Sequence, residues 1–172
     1  MGEGELPRPG QAAPEIALPD DTGRLRQLSQ ERGKWLVIYF YPKDDTPGCS
    51  VEACEFRDAD SQLRERGAEV WGVSILGSAS KQAFKQKFGL TFALLADEQH
   101  RAAEDYGTWI EKENHGRRYW GVQRATFLVD PEGLIVRVWP KVKPQGHAAE
   151  VLTALAEAQA DPGPVPAAGE QQ

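Results

Sequence analysis

The strongest constraint on the fold is an apolar run from Trp35 to Tyr41, with the sequence WLVIYFY. It is rich in the β-branched and aromatic side chains that are typical of strands. A strand with one solvent face alternates apolar and polar residues, whereas a continuous apolar run predicts a strand that is buried on both faces. We therefore expect this segment to lie in the middle of a sheet.

The rest of the chain alternates strand and helix signals. We expect a small hairpin within residues 16–28 and a helix from Gly48 to about Arg66 that ends at Gly67, a residue suited to a left-handed stop. Further strands are expected at residues 69–74, 92–96, 125–129 and 134–139, and further helices at 80–88, 99–106 and 148–158. This order predicts an α/β fold with a mixed central β-sheet flanked by helices.

Length and charge limit the possible classes of protein. We expect residues 1–160 of the 172 to form a single domain, and the proline-rich segment 161–172 to be disordered. The net charge of −6 argues against partners such as nucleic acid or an anionic membrane. No apolar stretch is long enough to span a membrane, and the acidic N-terminus lacks the core of a secretory signal. The expected location is therefore cytoplasmic, with reduced thiols.

The two cysteines, Cys49 and Cys54, are the main candidates for chemistry. Cys49 is predicted to lie in the first helical turn, on one stripe with Ala53, Phe56 and Leu63, so that it faces the body of the domain. The positive end of the helix dipole and its free N–H groups favour a thiolate over a thiol. A nearby guanidinium would favour the thiolate further. Cys49 is therefore predicted to be a reactive nucleophile.

An intact helix keeps these cysteines apart. Five residues of helix rise about 7.5 Å and turn about 140°, whereas the Cα atoms of a disulfide lie within about 7 Å and their Cβ vectors converge. A Cys49–Cys54 disulfide would therefore require the first turns to unwind. This predicts two states, a folded one that presents Cys49 and a locally unfolded one that holds the disulfide.

Other interpretations of these residues are less specific. A buried free cysteine is commonly a small hydrophobic residue. No metal and no cofactor is predicted, because the cysteines and scattered histidines match no zinc spacing and no glycine-rich phosphate loop is present. We interpret Asp44 and Asp45 as a solvated loop pair. The mouth of a substrate pocket could be lined by three aromatic residues, Trp109, Tyr119 and Trp120. Packing against other side chains is the commoner role of such residues.

The segment from Tyr39 to Cys49, YFYPKDDTPGC, followed by Cys54, resembles the active-site signature of peroxiredoxins in the bacterioferritin comigratory protein, or PrxQ, branch. Residues 72–74, 94–97, 124–130 and 138–147 also resemble segments of that branch, in the same order. Positions 50–51 and 75–78 depart from the usual pattern. The resemblance spans about residues 10–158 and implies a thioredoxin-like fold.

The resemblance also implies roles for five residues. Cys49 matches the peroxidatic cysteine, which attacks a hydroperoxide and becomes a sulfenic acid, and Cys54 matches the resolving cysteine. Thr46 matches the residue that orients the peroxide, and Pro42 matches the ring that shields the sulfur. Arg124 matches the arginine that stabilises the thiolate and polarises the leaving oxygen.

The implied function is a thiol-dependent peroxidase of antioxidant defence, which reduces hydrogen peroxide and organic hydroperoxides and is monomeric. Its disulfide would be recycled by thioredoxin or a similar dithiol. Two alternatives remain open: a redox sensor or holdase that uses the same disulfide, and a general thiol–disulfide oxidoreductase, against which the missing C-x-x-C motif argues. The chain also lacks the glycine-rich insert and terminal Tyr-Phe pair of easily over-oxidised peroxiredoxins, which predicts resistance to over-oxidation.

Overall fold

The structure is a computed structural model that describes residues 5–160. The segment 161–172, predicted to be disordered, lies outside the described residues. The strands are β1 Ala17–Pro19, β2 Leu25–Gln27, β3 Trp35–Phe40, β4 Ala68–Ser74, β5 Ala93–Ala96, β6 Trp109–Asn114, β7 Arg117–Val122, β8 Ala125–Val129 and β9 Ile135–Trp139. The α-helices are α1 Pro47–Glu65, α2 Ser78–Phe88, α3 Arg101–Asp105 and α4 His147–Ala160, and a 3₁₀ helix spans Leu28–Glu31.

Five strands form the central sheet in the order β5-β4-β3-β8-β9. β3 lies in the middle, parallel to β4 and antiparallel to β8, so that the sheet is mixed as predicted. Residues 36–40 of β3 are at most 1% exposed. The prediction of a strand buried on both faces is therefore confirmed, and the reason is that helices or loops cover each side of the sheet.

The side chains of β3 alternate between two hydrophobic clusters. Val37 and Tyr39 point to the face covered by α1, α2 and α4, where Tyr39 stacks on Phe56 with ring centroids 4.7 Å apart. Leu36, Ile38 and Phe40 point to the opposite face, which α3 and the N-terminal segment cover. The predicted stripe on α1 is confirmed, because its members are at most 1% exposed: Cys49, Ala53, Phe56 and Leu63.

A second hairpin, β6–β7, was not predicted from the sequence. Its two strands pair antiparallel from Trp109–Val122 to Asn114–Arg117. His115 and Gly116 form the turn and both have positive φ, 54° and 78°, which is the backbone of a type I′ hairpin turn. A His-Gly pair is a weaker signal for this turn than Asn-Gly, and the strands carry charges on both faces, so no alternating pattern indicated them.

A buried ion pair anchors the loop between β3 and α1. The Lys81 ammonium of α2 lies 3.4 Å from Asp44 and donates a hydrogen bond to Ser74 at 2.7 Å. The side chains of Lys81 and Asp44 are 0% and 2% exposed. The interpretation of Asp44 as solvated is therefore wrong, because α2 packs over the loop and supplies a cation, whereas exposed Asp45 pairs with Lys87 at 2.9 Å.

Within residues 5–160, no helix combines the length and the apolarity that crossing a bilayer requires.

Replacing Lys81 with Met should lower the free energy of unfolding by about 3–5 kcal/mol, because the carboxylate of Asp44 would remain buried without a cation. Urea denaturation measures this loss. Lys87→Met is the matched control, since it removes a cation from the same helix that pairs with the same loop at the surface, and it should cost at most about 1 kcal/mol. Equal losses in the two variants would contradict the anchoring role of Lys81.

Candidate active site

The first turn of α1 places Cys49 at the C-terminal end of β3. Thr46 is the N-cap residue and Pro47 is the first helical residue, where its missing N–H is not needed. The carbonyl of Thr46 accepts the first helical hydrogen bond from Ser50 at 2.8 Å, and its hydroxyl donates to the carbonyl of Lys43 at 3.3 Å. Cys49 follows in this turn and is 1% exposed, so its sulfur lies beside the positive end of the helix.

Arg124 reaches this sulfur from the neighbouring strand. It immediately precedes β8, whose residue Ala125 pairs with Phe40 at the end of β3. Because β8 runs antiparallel to β3, its start lies next to the point where the chain enters α1. Arg124 Nη2 donates to Cys49 Sγ at 3.4 Å, and Nη1 donates to Glu52 Oε1 at 2.7 Å. One guanidinium therefore bridges two side chains on the same face of α1.

Gly48 lets the guanidinium approach the helix closely. A Cβ at this position would stand 3.1 Å from Arg124 Nη2 and 3.6 Å from Pro144 Cγ. A larger residue would press on the nitrogen that contacts Cys49. The glycine before the cysteine thus has a packing role that its position in the sequence did not reveal.

Glu52 is a site residue that the sequence analysis missed. It is 1% exposed, and its Oε2 atom has no hydrogen-bond partner among the described residues. Burial raises the pKa of Glu52 to about 7, although the charge of Arg124 and its hydrogen bond act in the opposite direction. Burial also disfavours the charged form of Arg124, but Glu52 and Cys49 outweigh it and raise the pKa of Arg124. The available signal was the three-residue spacing from Cys49, which places both side chains on one helical face.

The other predicted site residues lie around this centre. Cys54 is half-buried further along α1, and both thiols are free. Pro42 and Thr46 are half-buried in the loop that leads into the helix, the loop that Asp44 and Lys81 anchor. The structure therefore brings Cys49 and Arg124 into contact, places Pro42 and Thr46 on the adjoining loop, and holds Cys54 within the intact helix.

The buried side chain of His147, the first residue of α4, contacts β8 and α1 next to the site. Its Nε2 lies 2.8 Å from the hydroxyl of Thr126, and its ring packs edge-on against Phe56 and Trp139. Burial lowers the pKa of His147, although Glu150 opposes the shift from 3.1 Å. His147 is thus a buried, packed side chain.

Comparison with known proteins identifies the family of this chain. The AhpC/TSA family model matches residues 9–138. A putative peroxiredoxin bcp of Coxiella burnetii is 49% identical over 146 residues, which are 85% of this chain and 97% of the relative. Peroxiredoxin Bcp of Bacillus subtilis is 45% identical over 146 residues, 85% and 93% of the two chains.

Solved structures show the same fold. The bacterioferritin comigratory protein of Xanthomonas campestris superposes with a TM-score of 0.80 at 38% identity and covers 85% of this chain and 92% of its own. A cysteine-to-serine variant of Xylella fastidiosa PrxQ superposes with a TM-score of 0.85 at 35% identity, covering 91% and 99%. The predicted thioredoxin-like fold is confirmed. The chain belongs to the AhpC/TSA family and, within it, to the peroxiredoxins of the Bcp, or PrxQ, type.

The titration of Glu52 should be visible in protein stability. Its pKa of about 7 in the folded state lies above the ordinary value of 4.5, so the folded state binds this proton more tightly than the unfolded state. The resulting stabilisation is fully present below pH 4.5 and is lost as the pH rises through 7. Relative to Glu52→Gln, the free energy of unfolding of the unaltered protein should fall by about 3 kcal/mol over this interval.

Urea denaturation of both proteins at a series of pH values measures this difference. The Gln variant is the appropriate reference because it keeps an oxygen that can accept the Arg124 hydrogen bond but does not titrate. A difference that stays constant with pH would show that Glu52 does not hold its proton in the folded state.

Proposed function

We propose that this chain reduces hydrogen peroxide and small organic hydroperoxides through a Cys49 sulfenic acid and an intramolecular Cys49–Cys54 disulfide. The chain is a peroxidase because it belongs to the peroxiredoxins. What we propose here is the mechanism through the disulfide and the identity of the reductant. The observation that carries it is the contact of 3.4 Å between the Arg124 guanidinium and the Cys49 sulfur, at a helix N-terminus. This is the environment that makes a thiol nucleophilic.

In the first step the Cys49 thiolate attacks one oxygen of the hydroperoxide. The S–O bond forms as the O–O bond breaks, so that the sulfur is oxidised to the sulfenic acid and the leaving oxygen takes up a proton to become an alcohol or water. Negative charge moves from sulfur to this oxygen, and we assign Arg124 to stabilise it along the way. We assign Thr46 to orient the peroxide, and Pro42 to limit the access of water.

In the second step the Cys54 thiol attacks the sulfenic sulfur, which forms the disulfide and releases water. Both cysteines lie on α1, and a helix keeps residues five apart on different faces, so the first turns must unwind. Contacts outside the helix would then be lost as well, among them those of Arg124 with Cys49 and Glu52, and the hydrogen bond of 2.9 Å from the Gly146 N–H to Glu55. Opening one helix end costs less than global unfolding.

In the third step an external dithiol reduces the disulfide, which restores both cysteines and oxidises the dithiol. We propose thioredoxin, or a protein with a similar dithiol, as this partner. We also propose a monomer in the cytoplasm as the working form, because the mechanism uses two cysteines of one chain and needs reduced thiols at rest.

The two cysteine variants should behave differently. Cys49→Ser should abolish peroxide consumption, because a hydroxyl at this position is not ionised at neutral pH. Cys54→Ser should form the sulfenic acid as fast as the unaltered protein but should stop turnover with thioredoxin. Mass spectrometry after one equivalent of peroxide, together with a coupled turnover assay, measures both effects.

The same experiment separates the alternatives. A fast loss of two hydrogens that links Cys49 to Cys54 supports the peroxidase. A slow loss supports a redox sensor or holdase that uses the same disulfide. Equal and mild effects of the two substitutions would contradict the assigned roles.

The protein should also resist over-oxidation. In a peroxidase of this kind the sulfinic acid forms only when a second peroxide reaches the sulfenic acid before the helix unwinds. The sequence has no Gly-Gly-Leu-Gly insert of the kind that easily over-oxidised peroxiredoxins carry, so we expect Cys54 to react first. During turnover with reductant at sub-millimolar peroxide, mass spectrometry should find no accumulation of Cys49 sulfinic acid, whereas Cys54→Ser should accumulate it under the same conditions.

A further inference from the structure

The hairpin β6–β7 places the ammonium of a lysine beside the segment that leads to Arg124. Lys112 of β6 pairs with Tyr119, and the neighbouring pair on the same face is Ile110 with Gly121. The Lys112 stem crosses Gly121, where a Cβ would stand 3.5 Å from its Cδ and 3.7 Å from its Cε. Its ammonium donates to the carbonyl of Val122 at 2.6 Å. Val122 lies two residues before Arg124, so the ammonium lies at the base of the segment that carries the guanidinium.

Lys112 differs from the other sheltered cations of this protein. Six Lys and Arg residues within residues 5–160 are buried or half-buried, and five of them have a carboxylate within 4.0 Å: Arg26, Arg57, Lys81, Lys85 and Arg124. Lys112 has no such partner among the described residues. Its single hydrogen bond, to a neutral carbonyl, leaves most of its charge uncompensated.

The charged groups that act on Lys112 belong to the site. Burial lowers the pKa of Lys112, the charge of Arg124 lowers it further, and Cys49 acts in the opposite direction. A nearby anion stabilises a half-buried cation, and among the described residues Cys49 is the group that opposes the lowering of the Lys112 pKa.

One cation contacts two groups at the centre of the site. Arg124 bridges Glu52 and Cys49, so that it serves a carboxylate and a sulfur at the same time. Glu52, with a pKa of about 7, is partly ionised at neutral pH and then takes part of the Arg124 charge away from the sulfur. A second cation would keep the thiolate favourable under these conditions.

We propose that Lys112 is the second cation of this active site, and that its charge stabilises the Cys49 thiolate and the negative charge that passes to the leaving oxygen. This inference rests on the proposed role of Cys49. Lys112 acts through space and not through its hydrogen bond. Gly121 is part of this arrangement, because its missing side chain leaves the path that the Lys112 stem follows.

The test compares Lys112→Gln with Lys112→Arg, both made together with Cys54→Ser so that Cys49 is the only thiol. Both side chains can donate to the Val122 carbonyl, but only Arg keeps the charge. The first readout is the rate of iodoacetamide alkylation of Cys49 as a function of pH. Gln should raise the midpoint of this profile by about one pH unit, whereas Arg should leave it nearly unchanged. The second readout is the rate of sulfenic acid formation with hydrogen peroxide, which Gln should slow by about three- to tenfold at pH 7.

Arg118→Gln is the matched control. It removes one positive charge from the same hairpin, but Arg118 is 74% exposed and its partner is Glu111. Neither readout should change in this variant. Because the control loses the same net charge, it separates a local effect on the sulfur from a general effect of protein charge.

Each outcome decides the question. A midpoint that does not move with Gln, a shift of equal size in Gln and Arg, or a shift of equal size in Arg118→Gln would overturn the proposal for Lys112. Urea denaturation of each variant identifies loss of folding, and Lys112→Met is a further charge-free variant if Gln is unstable. The alkylation profile is measured without peroxide, so it tests the role of Lys112 separately from the proposed function. If Lys112→Gln shifts this profile but the protein forms no sulfenic acid, the proposed function is contradicted and the effect of Lys112 on the sulfur is not.

Discussion

The rest of the site depends on the two hydrogen bonds that the guanidinium of Arg124 donates to Cys49 and Glu52. One guanidinium holds the sulfur of Cys49 at 3.4 Å and a carboxylate oxygen of Glu52 at 2.7 Å, one helical turn further on. The planar group suits this task, because it stays charged and its donors diverge in a fixed geometry. A buried cation of this kind would be unfavourable alone, and the carboxylate makes it tolerable. The same carboxylate competes with the sulfur for the cation, so the site balances fixed charges against one another.

The sheet brings these groups together. Because β8 runs antiparallel to the central strand β3, the residue before β8 lies beside the start of α1, although 75 positions separate Arg124 from Cys49. The loop that carries Pro42 and Thr46 is held from the other side by the buried pair of Lys81 and Asp44. Cys49 is therefore held from the strand side by Arg124, and the loop before it is held by α2. Under the proposed mechanism, these contacts define the folded state, and the first turns of α1 would have to leave it for the disulfide to form.

Much of the fold followed from local patterns. The apolar run at residues 35–41 has no polar position and therefore predicted the central strand, and the stripe from Cys49 to Leu63 predicted the buried face of α1. The hairpin β6–β7 was missed because its strands carry charges on both faces and its turn is His-Gly. Asp44 was misjudged because a carboxylate in a loop of aspartates has no local sign of burial. Its environment depends on Lys81, 37 residues away in the chain.

The sequence by itself determined the central strand and the position of α1, because these depend on short-range patterns. Through its resemblance to a long family motif, it also supplied the candidate set of Cys49, Cys54, Thr46, Pro42 and Arg124. Only the tertiary structure decided which charges meet. Glu and Lys are residue types that usually lie at the surface, yet Glu52, Lys81 and Lys112 are each sheltered through contacts with other elements of the fold. The physical reason is that the energy of a charge depends on its solvation and on its neighbours in space, and neither is encoded at the residue's own position in the chain.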